Sequence, residues 1–310
     1  MKNIIKSLIL VIMLTFLFVI FSYKHKYNYI NSIVNIVGTN GEEEKSGVGF
    51  VYKNIKNTSY VLTNYHVISS MENISIYNSD KKFEATILAY DEYSDIAILT
   101  FKNNLNILPL EISESNVKTN SKVYTYDLDS NKKITGKVVS TLEKVYVFNE
   151  NINSSYTAIK TNIKANYGMS GSPLFYKGKV VGMISSMKID GNYSFAINSS
   201  EILEIVNKLE NNNLNRPVIG AKITDSDNTD LLNKYNITAT RKGAIIYEIK
   251  DGYPFSNAGL MVGDIILEID GVKINNVKEL QDKIYSYSSS DIITIKYYRD
   301  KYYETKVSLK

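Results

Sequence analysis

The sequence predicts a mainly β chain: an all-β barrel or sandwich over residues 33–197, then a mixed α/β unit over residues 218–310, both behind an apolar N-terminal helix. Three observations carry this. Short β-rich runs recur from Ile33 to Ile197, separated by Asn, Gly, Ser and Asp turns. Helical spacing appears only after that stretch. A long uncharged run stands at the N-terminus.

That run comes first in chain order. Ser7–Tyr23 holds no charge, and Leu8–Phe21 is almost wholly apolar. Extended back to Ile4, with Lys6 as its single charge, it reaches about 30 Å as a helix, enough to span a bilayer. Lys6 lies close enough to the end to snorkel. It is apolar all round, unlike a helix with one buried face. The reading is a retained signal-anchor over residues 1–26, with the larger part outside the cytoplasm. A cleaved signal peptide has the same basic start, but no A-x-A-like site follows the run. A lipoprotein is excluded because the chain has no Cys.

The strand-like runs are Gly49–Tyr52, Tyr60–Thr63, Ile74–Tyr77, Glu84–Ala89, Ile96–Phe101, Val123–Tyr126, Lys137–Ser140, Val145–Phe148, Thr157–Thr161 and Val180–Ser185. Glu201–Glu210 changes period: Ile202, Ile205, Val206 and Leu209 share one helical face, behind Ser199 or Ser200 as N-cap. Asn211-Asn212-Asn213 and Pro217 then mark a linker. Helices are expected at Asp230–Lys234, Phe255–Ala258 and Val277–Tyr285. The domain boundaries that follow are 1–26, 27–210, 211–217 and 218–310.

Composition removes several functions. Lys2, Lys6, Lys24 and Lys26 account for four of the 36 basic residues, and the rest balance the 32 acids. Beyond residue 26 there is no basic excess to release counterions, so nucleic acid is excluded as a partner. Zero Cys removes disulfides, thiolate nucleophiles and cysteine-bound metals.

Three places carry chemistry. In Val61-Leu62-Thr63-Asn64-Tyr65-His66-Val67 a strand ends in a turn with a histidine. The other histidine, His25, sits beside the apolar run, so His66 is the one imidazole in the folded part and the candidate base. In Ser94-Asp95-Ile96-Ala97-Ile98-Leu99 an acid stands directly before an apolar strand, where it could orient an imidazole and stabilise its cation. In Asn166-Tyr167-Gly168-Met169-Ser170-Gly171-Ser172-Pro173 small residues flank one serine, fitting a tight turn that exposes Oγ and gathers N–H groups into an oxyanion hole. Taken singly, each has an ordinary use: a packed histidine, a strand-start Asp, a surface turn. Together, the order His66, Asp95, Ser170 is that of the chymotrypsin-type triad on a β-rich host.

With these boxes the chain resembles the HtrA/DegP-type serine proteases. Ser46-Gly47-Val48-Gly49-Phe50 resembles that family's early Gly-rich strand, and Ser194-Phe195-Ala196-Ile197 the strand closing its protease domain. The resemblance implies a chymotrypsin/trypsin-like double β-barrel followed by an α+β PDZ domain, with the N-terminal transmembrane helix in front. It assigns His66 as general base and then acid, Asp95 as its orienter and Ser170 as nucleophile. Backbone N–H groups of Gly168 and Ser170 would hold the oxyanion. It calls for no cofactor and no metal.

Three positions depart from the family's Asn-Pro-Gly-Asn-Ser-Gly-Gly-Pro. Tyr167 replaces Pro, Met169 replaces Asn and Ser172 replaces the second Gly. Met169 is expected to contribute only its backbone N–H, whereas Ser172 adds bulk where backbone approach is close. A regulatory loop found in some relatives is expected to be missing. By the same resemblance, Lys164–Tyr167 and Ser185–Met187 line the specificity pocket. Neither stretch holds an acid, which argues against Arg or Lys at the cleavage site and for small aliphatic residues.

The C-terminal unit resembles a PDZ domain of the same family. Arg216-Pro217-Val218-Ile219-Gly220 is similar to its carboxylate-binding loop, Gly243-Ala244-Ile245-Ile246 to a PDZ strand, and Tyr253–Gly271 to its A-G-L-x-x-G-D stretch. Val218, Ile219 and Gly220 would capture a terminal carboxylate while an incoming strand pairs with a sheet edge. Asp225, Asp227 and Asp230 faintly resemble a calcium loop, but the spacing and the missing Gly and Glu make them a solvated turn. The expectation is a single-pass, membrane-anchored, extracytoplasmic serine endopeptidase. It would act on unfolded or signalling proteins, bind protein C-termini and assemble as a homotrimer. The alternative is a catalytically weak or silent chaperone-like scaffold on the same fold.

Overall fold

A computed structural model describes residues 12–16, 29–41, 43–103, 107–114, 117–148, 153–190, 192–211 and 216–310, with the backbone alone at 146–148, 153–154 and 186–190. Residues 12–16 are helical and exposed; the rest of the expected anchor lies outside the described residues. Among the described residues no helix is long and apolar enough to cross a membrane. The chain divides into two compact units, Met1–Asn213 and Leu214–Lys310.

The first unit holds two closed barrels. One comprises β1 (Ile33–Asn40), β2 (Glu43–Ile55), β3 (Thr58–Thr63), β4 (Asn73–Asn78), β5 (Lys81–Asp91) and β6 (Ile96–Lys102), in the order β1-β2-β3-β6-β5-β4. Its interior is filled by Val34, Ile36, Val51, Val61, Ile76 and Leu99, each fully buried. Each such side chain contributes about 1.5–3 kcal/mol on leaving water. The other barrel comprises β7 (Lys122–Asp127), β8 (Lys132–Phe148), β9 (Asn153–Thr161), β10 (Pro173–Tyr176), β11 (Lys179–Asp190) and β12 (Tyr193–Asn198), in the order β10-β11-β12-β9-β8-β7. Lys137–Ser140 and Val145–Phe148, expected as two strands, are parts of the single β8. Its pairing with β9 shifts register between Val138 and Ser140 and again before Glu143, so bulges break the alternation while the ladder continues.

Between β3 and β4 the chain makes one helical turn, α1 (Tyr65–Ile68). After β12 comes α2 (Ser199–Glu210), which buries Ile202, Ile205, Val206 and Leu209 as the spacing requires. Its cap is Asn198, one residue ahead of the expected Ser199 or Ser200: the Asn198 side chain accepts from the Ser200 N–H, and Ser199 is buried instead. The helix packs on β5 and β6 of one barrel and on β11 and β12 of the other. Glu210 at its C-terminal end accepts from Tyr52 at 2.8 Å and Lys53 at 2.9 Å, while Glu201 in its first turn accepts from the Thr157 N–H at 2.5 Å. The two barrels are thus clamped by one helix.

The second unit is a sheet in the order β13 (Ala221–Asp225), β14 (Ala244–Ile249), β15 (Ile265–Ile269), β17 (Ile292–Tyr298), β18 (Tyr302–Ser308), with β16 (Val272–Lys273) paired to β15. Its helices α3 (Thr229–Lys234), α4 (Pro254–Asn257) and α5 (Val277–Ile284) match the expected ones within a residue. Phe255, Leu260, Ile266, Leu280 and Ile293 fill one core. The fully buried Asp264 takes a two-point ion pair from Arg299, Nε to Oδ1 at 2.7 Å and Nη2 to Oδ2 at 2.8 Å, and accepts from the Met261 N–H.

Candidate active site

The three sequence candidates meet where the barrels face each other. His66 comes from α1 of the first barrel, Asp95 from the turn before β6, and Ser170 from the turn before β10 of the second barrel. His66 Nδ1 lies 2.9 Å from both Asp95 carboxylate oxygens, and its Nε2 lies 2.8 Å from Ser170 Oγ. The carboxylate fixes the ring: Nδ1 must carry the hydrogen, which leaves Nε2 free to accept from the serine hydroxyl.

Asp95 is held on every side. Its backbone sits at φ +57°, a left-handed conformation that Asp tolerates better than most residues. Its carboxylate accepts from the His66 N–H at 3.0 Å and from the Ser185 hydroxyl at 3.0 Å. Its carbonyl accepts from the Asn64 side chain and the Tyr65 N–H. The buried Asp91 closes the same turn by accepting from both N–H and Oγ of Ser94. Asp95 is wholly buried, whereas the His66 side chain is 18% exposed, so the imidazole alone of this pair reaches the surface. Beside it, Tyr65 stacks on Tyr90 with ring centroids 4.7 Å apart. Burial, and after it the Glu92 charge, pushes the Tyr65 phenol up to about 12. Burial and then Asp91 push the Glu92 carboxyl up.

The serine turn is built by two glycines. Asn166 C=O accepts from the Met169 N–H at 3.1 Å, and Gly168 between them sits at φ +93°, the third position of a type II turn. Gly171 sits at φ +88°, where a Cβ would stand 1.8 Å from the Val48 carbonyl oxygen. Strand β2 braces the turn: the Val48 N–H donates to the Ser170 carbonyl at 2.7 Å, and Thr63 Oγ1 donates to the Val48 carbonyl at 2.7 Å. The Gly-rich run at Ser46–Phe50 is therefore the surface on which the serine turn rests. The Gly168 N–H has no hydrogen-bond acceptor among the described residues.

Several expectations are refined. Met169 does more than supply an N–H: its side chain is buried with Val117, Leu174 and Val181 in the second barrel's core. Ser172 is wholly buried, and its hydroxyl has no hydrogen-bond partner among the described residues. Tyr167 is 87% exposed at the second position of the turn. Of the expected pocket residues, Lys164, Asn166 and Tyr167 are exposed, Ala165 is buried, and the side chains of 186 and 187 lie outside the described ones. Ser185 faces Asp95 rather than a pocket. That role and the role of Asn64 escape the sequence; the one trace is a serine closing an otherwise apolar buried run, Val180–Ile184.

In the second unit, the carbonyls of Ile219 and Gly220 are taken by the N–H groups of Phe255 and Lys250, and the Val218 N–H donates to Lys310. The Ile219 and Gly220 N–H groups have no acceptor among the described residues. They head β13, an edge strand. Asp225 accepts from the Val277 N–H at 2.6 Å through its carboxylate, at the start of α5. Among the described residues no cluster of His, Asp and Glu could hold a metal.

A double barrel with a hydroxyl, an imidazole and a carboxylate in hydrogen-bonded line, followed by a separate unit of one sheet and short helices, is the arrangement of the trypsin-like serine endopeptidases with an appended PDZ domain. The comparisons agree. Residues 47–183 match the trypsin-like peptidase domain family and residues 217–309 the PDZ domain family. The Do-like serine protease HtrA of Lactococcus lactis subsp. cremoris is 31% identical over 281 residues, covering 82% of this chain and 68% of that protein. The periplasmic pH-dependent serine endoprotease DegQ of Escherichia coli is 28% identical, over 73% of this chain and 50% of its own length. In fold, the chain superposes on a serine endoprotease of Yersinia pestis with a TM-score of 0.63 at 19% identity, covering 93% of this chain and 97% of that one. The chain belongs to the HtrA family of serine proteases, and it is a serine endopeptidase.

Proposed function

We propose that Ser170 is the nucleophile of this endopeptidase. His66 removes its proton through Nε2 and returns it to the leaving amine, and Asp95 holds the ring and stabilises the imidazolium. Ser170 Oγ attacks the scissile carbonyl, whose oxygen gathers negative charge between the N–H groups of Gly168 and Ser170. The acyl-enzyme is then hydrolysed by water activated at the same imidazole. The single observation that carries this reading is the unbroken line from Ser170 Oγ through His66 to Asp95, at 2.8 and 2.9 Å.

The wider assignment draws on the family. The chain acts outside the cytoplasm, as a relative named periplasmic supports. Its first 26 residues anchor it in the cell membrane as a single span, which the uncharged run Ser7–Tyr23 supports. The protease domain runs over 27–210 and the PDZ domain over 218–310, joined by 211–217. The substrates are unfolded or signalling proteins. The Ile219 and Gly220 N–H groups, with Val218 beside them, receive the C-terminal carboxylate of a protein, and the protease domains assemble as a homotrimer. A fluorophosphonate probe tests the chemistry. The full chain should be labelled at Ser170 and should cleave casein, and Ser170→Ala should do neither while melting at the same temperature. Labelling elsewhere, or casein cleavage by Ser170→Ala, would overturn the assignment.

A further inference from the structure

Strand β9 runs against the turn that holds Asp95 and carries a buried hydroxyl without a partner among the described residues. The Ser155 N–H donates to the carbonyl of Tyr93, two residues ahead of Asp95, at 2.7 Å. The Thr157 N–H donates to Glu201 of α2 at 2.5 Å. Tyr156 stands between these anchors, so its backbone is tied to the Asp95 turn on one side and to the clamping helix on the other. Its side chain is wholly buried, and its hydroxyl completes no hydrogen bond among the described residues. The polar groups that reach that hydroxyl are the Ser185 hydroxyl and the Asp95 and Glu201 charges. Burial above all pushes the phenol up, so it keeps its proton and has one to donate. A buried donor left unused is unfavourable, and each such group calls for an explanation.

Ser185 supplies the acceptor. Its own hydrogen goes to Asp95 Oδ2 across 3.0 Å, which leaves the lone pairs of its Oγ to accept. Glu201 is already taken by the Thr157 N–H. We propose that Tyr156 is a positioning residue of the triad: its hydroxyl donates to Ser185 Oγ and so aims the Ser185 hydrogen at Asp95. The proposal rests on the triad reading given above. One chain then runs from the Tyr156 hydroxyl to the Ser185 hydroxyl to the Asp95 carboxylate, which meets His66 Nδ1 at 2.9 Å on its other side. A hydroxyl that receives a hydrogen bond becomes a stronger donor, by roughly 10–30% per bond. A carboxylate so stabilised holds less charge against the ring, and the imidazolium gives up its proton at lower pH. Tyr156 acts on His66 only through Ser185 and Asp95.

Steady-state hydrolysis of a fluorogenic peptide by the full chain, measured across the titration of His66, tests this. Tyr156→Phe deletes the hydroxyl alone. It should lower kcat about two- to fourfold and move the acidic limb of kcat/KM upward by roughly 0.2–0.5 pH unit. In a Ser185→Ala background the same change should have no further effect. A crystal structure of the unaltered chain should show the Tyr156 and Ser185 hydroxyl oxygens within about 3 Å, a reading independent of how any variant folds. An unmoved acidic limb together with a higher melting temperature would show an idle hydroxyl and overturn the proposal. Equal losses in the unaltered and Ser185→Ala backgrounds would overturn it too, as would hydroxyl oxygens more than about 3.5 Å apart. Fluorophosphonate labelling separates this from the triad itself. Labelling of Ser170 with none of the expected effects removes Tyr156 alone, whereas an unaltered chain that is not labelled at Ser170 removes both.

Discussion

Ser185 donates its hydroxyl to Asp95 Oδ2 across 3.0 Å, with both side chains wholly buried. The donor belongs to β11 of one barrel and the acceptor to the turn before β6 of the other. The carboxylate that fixes the His66 ring is therefore itself fixed by the opposite barrel. Ser185→Ala should remove a hydrogen bond to a buried charge, worth about 1.5–3 kcal/mol. The expected result is a fall in kcat of roughly ten- to a hundredfold with KM little changed. Steady-state kinetics on a peptide substrate checks it; an unaltered kcat would show that the histidine and backbone contacts suffice.

Gly171→Ala tests the close approach of the serine turn to β2. The added methyl would stand 1.8 Å from the Val48 carbonyl, at φ +88°. Left-handed strain and overpacking together should destabilise the protease unit by roughly 2–4 kcal/mol. Fluorophosphonate labelling should vanish while binding of peptides to the second unit persists.

Ser172→Ala runs the other way. The Ser172 hydroxyl is buried without a partner among the described residues, and its backbone already donates to Met169 C=O and accepts from Ile184 N–H. Removing the hydroxyl should stabilise the protease by up to about 1 kcal/mol. A melting temperature about 2–4 °C higher in calorimetry, with kcat unchanged, is the expected outcome. A lower melting temperature would mean that the hydroxyl is satisfied in solution.

Glu279 makes the second unit acid-sensitive. Its Oε2 accepts from the N–H and side chain of Asn275 at 2.8 Å each, and Oε1 from Asn276 at 3.1 Å. The Asn275 N–H above all holds the carboxyl below its usual range. A carboxyl lowered by folding contributes stability that is present above its unfolded value and lost as pH falls through the folded one. Urea midpoints for this unit should therefore decline as pH falls below the ordinary glutamate range, and Glu279→Gln should lessen that decline, the lowered Asp270 and Asp300 keeping the rest. Parallel pH profiles for the two proteins would remove Glu279 as the cause.

Local chemistry made much of this legible in one dimension. The β periodicity, the single imidazole of the folded part, the acid heading an apolar strand and the Gly-x-Ser-Gly turn each leave a local mark, and their order named the family. The helices of the second unit were readable because each buries a face at helical spacing between clear turn residues. Strand β8 was harder, because bulges at Val138–Glu143 interrupt the alternation that marks a strand.

The amino-acid order alone determined the residue types at the site and their succession: His66, Asp95, Ser170. Only the tertiary structure decided that they lie 2.8 and 2.9 Å apart, that Ser185 serves Asp95, that Met169 is core, and that Tyr156 is buried. The physical reason is the same in each case. A turn or a periodicity is fixed by neighbours along the chain, whereas burial and a hydrogen bond between barrels depend on contacts some 90 residues apart, which no local pattern records.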